Sequence, residues 1–180
     1  MKLDESILEY LELNPVPQYE PVNVMQISDM LDFMKESAER LVKKSYQYFS
    51  TDDVNLQVDC IDIVSARLND FVQVFMDIIL FIRREEGTDN GRSKSLRYCI
   101  TGYDALRILQ TEDEKGFLNE LLLRNEITHD YFNREMHQQK LIAMMQNNMD
   151  GALDVYEHLF DYCEGHGWMK RFVDKNSGKR

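Results

Sequence analysis

From Thr51 to Glu85 the chain carries a single unbroken helical repeat. Apolar side chains return at steps of three and four through Val54, Val58, Ile61, Val64, Leu68, Phe71, Val72, Phe75, Ile78, Ile79 and Ile82. That is the spacing of one helix face, not the alternation of a strand. Thr51-Asp52-Asp53 supplies a start signal ahead of it. A helix this long can cover its stripe only by packing against other helices. Its second half, Phe71 to Ile82, is apolar on more than one side, as in the central helix of a bundle or in one that also packs against a second chain.

The remaining chain supplies the partners. All three prolines, Pro15, Pro17 and Pro21, fall together and predict an extended connector. Before it, residues 3–13 read as a short amphipathic helix with Leu3, Ile7, Tyr10 and Leu11 on one side. After it, a helix is predicted over 28–49, with Met30, Leu31, Met34, Ala38, Leu41, Val42 and Tyr46 inward. Glu86 to Lys94 is the clearest loop, with Gly87 and Asp89-Asn90-Gly91. A helix over 96–109 follows, interrupted at Thr101-Gly102, then one that starts near Thr111. A last helix begins near Glu135, carries Leu141, Ile142, Met145, Met149, Leu153, Tyr156, Leu159 and Phe160, and stops at Gly165 and Gly167. With no alternating strand pattern, the expected fold class is all-α: four to five core helices in an up-and-down bundle, plus the short N-terminal helix. The expected organisation is an acidic arm and connector over 1–21, a bundle over 22–169 and a loose basic tail over 170–180.

At 180 residues and 43% hydrophobic content, the chain is long enough to bury a proper core as one domain. It has no apolar run long enough for a membrane helix, and its acidic N-terminus is unlike a secretory signal, so a cytoplasmic protein is expected. Cys60, Cys99 and Cys163 are odd in number and widely spaced, which suits reduced thiols. The net charge of −11 argues against a general nucleic-acid binder. The charge is uneven, however. More than half of it lies in residues 1–34, whereas 83–107, with Arg83, Arg84, Arg92, Lys94, Arg97 and Arg107, is net positive. Such a run is either a solvated face or a basic lip beside a site. Glycine-rich phosphate loops, serine elbows and zinc-protease helices are missing from the sequence. His158, Cys163 and His166 are the one set to weigh as zinc ligands, at a spacing that fits no common site. The ten methionines read as core filler.

The anomaly is in residues 117–132. Thr111 and Glu114 are spaced as a capping box, and Phe117, Leu118, Leu121 and Leu122 form a buried stripe. The same stripe then runs on through Asn125, His129 and Phe132, placing an amide and an imidazole where leucines stood. An unpaired buried polar group costs roughly 1–3 kcal/mol. Two in succession imply either a satisfied polar network inside the bundle or a wet cleft that uses them. Arg124 and Tyr131, two turns apart, lie over one another on an adjoining face.

The string Arg124-Asn125-Glu126-Ile127-Thr128-His129-Asp130-Tyr131 resembles the Arg, four residues, His, one residue, Tyr signature of the HEPN superfamily, in particular its HepT-like toxins. The resemblance implies a metal-independent endoribonuclease without a cofactor, with Arg124 and His129 central, Asn125 orienting the imidazole or touching the phosphate, and the site assembled in a homodimer. It implies that Tyr131 accepts nucleotides from a cognate nucleotidyltransferase antitoxin. The chemistry is coherent. RNA carries its own 2′-hydroxyl nucleophile, histidine exchanges protons near neutrality, and the Arg fork matches phosphate oxygens. A single His129 cannot serve easily as base and acid at once, so a two-fold dimer supplies the second. The chain is longer than compact HepT-like toxins, chiefly through its acidic N-terminal arm and its tail, and its overall negative charge points to one structured RNA such as a tRNA rather than to any RNA. Two alternatives stand beside this: a non-catalytic HEPN partner of a nucleotidyltransferase, gripping a nucleotide or substrate, and a purely structural helical dimer.

Overall fold

The computed structural model describes residues 20–89, 95–127 and 134–169, with the side chains of 20–26, 124–127, 134 and 135 excepted. The predicted helix over 3–13, the loop centre at 90–94 and the C-terminal tail lie outside the described residues. Those that are described form an all-α bundle of six helices without a strand: α1 (Glu20–Phe49), α2 (Val54–Glu85), α3 (Leu96–Ala105), α4 (Glu112–Ile127), α5 (Arg134–Asn147) and α6 (Gly151–Gly165). None of these is long and apolar enough to cross a membrane.

α1 and α2 form a long antiparallel hairpin. Its turn is fixed by Asp53, whose carboxylate accepts from the backbone N–H groups of Asn55 at 2.9 Å and Leu56 at 3.4 Å and so caps the start of α2. The second half of α2 is the centre of the core. Phe71, Phe75, Ile78, Ile79 and Ile82 are completely buried, with Val74 and Phe81 nearly so. Neighbours of the same chain account for this burial. Phe71 meets Phe117 of α4 edge-on at 5.3 Å, Phe75 meets Tyr103 of α3 at 5.6 Å, and Phe81 meets Trp168, just beyond α6, at 5.4 Å. Of the two readings of an all-round apolar helix, the structure shows central burial. Met34, Met144, Met145 and Met149 fill core positions, and the three cysteines are free and buried.

The helix expected from Ser28 begins at Glu20, so Pro21 lies in its first turn and not in an extended connector. Proline is accepted there because the first N–H groups of a helix have no intrahelical acceptor to lose. At the far end of the hairpin, three residues expected inward are exposed: Tyr46, Val54 and Val58. Ser45 takes the buried place instead and donates to the Leu41 carbonyl at 2.8 Å. Gly102 does not interrupt α3. It is a buried point of close approach, where a Cβ would come within 2.8 Å of the Arg83 guanidinium. α3 ends three residues later, before Arg107 turns to φ +60°.

The single helix expected from Glu135 to Gly165 is in fact two, broken at Asn148-Met149-Asp150. The break lets the chain pass against the first turns of α4. A Cβ on Gly151 would collide with the Asp113 carbonyl and lie 2.8 Å from the Phe117 Cβ. Because the obstacle is backbone, a side chain here forces α4 and α6 apart. Gly151→Ala is therefore expected to lower stability by about 2–3 kcal/mol, read as an earlier midpoint in urea unfolding at unchanged slope.

Candidate functional site

The structure explains how α4 is held before it reaches the motif. The capping box expected from Thr111 and Glu114 is formed. The Glu114 N–H donates to the Thr111 hydroxyl at 3.1 Å, and the Thr111 N–H donates to the Glu114 carboxylate at 2.9 Å. Glu114 does more than cap. Its side chain is completely buried and also accepts from the Gln110 N–H at 2.8 Å and from the Tyr103 hydroxyl. His158 of α6 brings Nδ1 to 2.9 Å from the same carboxylate, without the alignment of a hydrogen bond. Thr111 in turn donates its hydroxyl to Asp154 of α6 at 2.9 Å. A single buried carboxylate thus joins α3, the turn before α4, α4 and α6.

Burial pushes the Glu114 carboxyl up, but the Tyr103 hydroxyl first, then the Gln110 N–H, the adjacent His158 imidazole and the Thr111 N–H, together hold it below the usual carboxylate range. The Tyr103 hydroxyl is pushed far above its ordinary value, by burial first and then by its bond to Glu114. The three helices therefore meet on a carboxylate that stays charged and a phenol that stays protonated. Sequence reasoning placed Glu114 in a cap but missed Tyr103 and His158. Only the capping spacing was a local signal.

Beyond the cap, Phe117, Leu118 and Leu121 are buried and Leu122 is half-buried, as the stripe predicted. α4 and α5 run antiparallel as a hairpin, with Gly116 of α4 facing Asn148 at one end and Glu120 and Leu123 facing Lys140 and Leu141 further along. Arg124 and Asn125 stand in the last turn of α4, which ends at Ile127. A cation is favoured in that turn by the helix dipole. Asn125 is in register with Leu118, seven residues before it. His129 and Tyr131 lie outside the described residues, as do the side chains of Arg124 and Asn125.

Among the described residues of the basic stretch 83–107, Arg83 and Arg84 are engaged locally. Arg83 stacks over Tyr98 at 4.3 Å, packs on Gly102 and donates to the Thr88 carbonyl at 3.0 Å, while Arg84 donates to the Leu80 carbonyl at 3.2 Å. Arg92 and Lys94 lie outside the described residues. Among the described residues no three His, Cys, Asp or Glu side chains converge as metal ligands. The zinc set considered above is dispersed, with His158 at Glu114, Cys163 buried and His166 stacked on Trp168 with Nε2 3.7 Å from Glu86. Burial raises the Cys99 thiol to about 11 and the Cys163 thiol to about 12, so neither supplies a thiolate nucleophile near neutral pH.

Comparisons with known protein families, with characterised proteins and with solved structures return no match.

Because the folded Glu114 lies below its ordinary value of 4.5, its contribution to stability is complete above that pH and is lost as pH falls through the lowered value. Urea midpoints measured from pH 7 downward are expected to fall in the acid range, and less steeply in Glu114→Gln. Glu114→Ala, which strands the Tyr103 hydroxyl and two backbone N–H groups, is expected to cost about 3 kcal/mol or more at pH 7.

Proposed function

We propose that this chain is a HEPN-type toxin, a metal-independent endoribonuclease that acts as a homodimer on a structured RNA such as a tRNA and is controlled by a nucleotidyltransferase antitoxin that modifies Tyr131. The observation that carries the reading is the set Arg124, Asn125, His129 and Tyr131 at the spacing of that family's signature, following an apolar helix in an all-α chain. The pinning of α4 by Glu114 supports it, because a catalytic constellation has to be carried on an element that does not drift.

In this mechanism His129 takes the proton from the RNA 2′-hydroxyl. The oxygen attacks the adjacent phosphorus, and Arg124 holds the charge that builds on the non-bridging oxygens. The bond to the 5′-oxygen breaks, and that oxygen takes a proton from the second copy's His129. The products are a 2′,3′-cyclic phosphate and a 5′-hydroxyl. Asn125, one turn before His129, orients the imidazole or contacts the phosphate. A nucleotide on Tyr131 would place bulk and negative charge beside the cleft and exclude the RNA phosphates.

Expression of the chain in a bacterial host is expected to arrest growth. Arg124→Ala and His129→Ala should relieve the arrest, each lowering cleavage by roughly 100-fold or more. Coexpression with the cognate nucleotidyltransferase should protect the host and leave nucleotide adducts on Tyr131, visible by mass spectrometry and absent from Tyr131→Phe. Growth that continues with wild type expressed alone, with Tyr131 unmodified, would replace this reading by that of a non-catalytic HEPN partner.

A further inference from the structure

A cavity of about 180 Å³ opens where α5 ends, the far end of that helix from the last turn of α4. Tyr46 and Phe49 of α1, Met145 of α5, and Met149 and Asp150 of the turn before α6 line it. Met145 and Met149 are buried, whereas Tyr46 is 62% exposed and Phe49 49%. Two aromatic rings left in water on the wall of one cavity have burial to gain, and ring faces attract cations. The charged group in the lining is Asp150. It precedes α6, but its backbone is already helical, with φ −62° and ψ −28°, where a capping residue is extended, and its carboxylate caps nothing. It accepts instead from the Tyr46 hydroxyl at 3.3 Å, which ties it to the aromatic wall. Among the described residues no Lys or Arg lines the cavity, and Lys44 of the same helix gives its Nζ to Gln47 at 2.7 Å.

A methionine floor, two exposed rings and a carboxylate at the rim are the complement of an arginine side chain. The methylene stem of arginine covers apolar surface, its planar guanidinium stacks on aromatic faces, and its fork pairs with a carboxylate through two parallel hydrogen bonds. The volume sets the scale. A cavity of roughly 150 Å³ holds one benzene, so this one takes a single long side chain and not a helix. The sign of the charge excludes the other guest that aromatic rings attract, a nucleotide, because Asp150 repels its phosphate, and Asp52 and Asp53, exposed in the turn after Phe49, carry the same sign. We propose that this cavity binds an arginine side chain of a partner protein, with the guanidinium against Tyr46 and Phe49 and paired to Asp150. The site shares no residue with the 124–131 motif and is independent of the ribonuclease reading.

Methyl NMR spectra of the full chain, labelled at the methionine methyl groups, read the floor of the cavity directly. Titration with the end-blocked peptide Gly-Gly-Arg-Gly-Gly is expected to shift the Met145 and Met149 signals to saturation. The same peptide with lysine at its centre should bind roughly fivefold more weakly, and with leucine at its centre should leave both signals in place. Asp150→Asn, which keeps the shape and removes the charge, and Phe49→Leu, which removes a ring, should each weaken arginine binding by roughly fivefold or more. Both side chains are exposed, so thermal unfolding of the two variants should match wild type, and either variant alone decides the matter if the other fails to fold. Signals that the arginine peptide does not move, a leucine peptide that binds as well, or arginine binding indifferent to both substitutions would overturn the proposal. So would hexauridylate moving the same signals at a lower concentration than the arginine peptide, since the rings would then be stacking bases.

Discussion

The buried carboxylate of Glu114 is the constraint around which the described structure is arranged. An ionised group taken out of water is tolerated only where donors replace the solvent, and here they come from the Tyr103 hydroxyl of α3 and two backbone N–H groups before α4, with the imidazole of His158 on α6 close by. No single helix can meet that requirement. The carboxylate therefore fixes the angle at which α4 leaves its turn and the place where α6 must pass. Gly151 is the steric counterpart, since α6 starts against the Asp113 backbone in contact that only a hydrogen side chain permits. Polar satisfaction and backbone proximity thus define the same junction.

From that junction the α4–α5 hairpin extends with its apolar stripe against α2, by way of Phe71 and Phe117. The motif begins in the last turn of α4. Buried residues run to Leu121, Leu123 is half exposed, and Arg124 and Asn125 occupy the last turn of the helix. The last turn of α4 thus belongs to an element whose first turn is held by Glu114.

Much of this was legible in the sequence because it is written in local periodicity. The stripe of α2, its Asp53 cap and the Thr111–Glu114 box each follow from residues within a few positions of one another, and each is found. What escaped was non-local. The rim exposure of Tyr46, Val54 and Val58 depends on where neighbouring helices end, which a helical repeat does not encode. The break at 148–150 follows from the closeness of Asp113, far away in sequence, to Gly151. Tyr103 and His158 are ordinary residues until folding brings them to Glu114. The motif is the opposite case: it was readable as a spacing, while His129 and Tyr131 lie outside the described residues. The ribonuclease reading therefore stands on residue chemistry and family resemblance.

The central claim is that this chain cleaves RNA with its own side chains, and the most direct measurement is end-group analysis of total cellular RNA treated with purified protein in EDTA. The account predicts discrete fragments ending in 2′,3′-cyclic phosphate with wild type and intact RNA with His129→Ala. RNA left whole by wild type, or fragments that His129→Ala produces equally well, would contradict it.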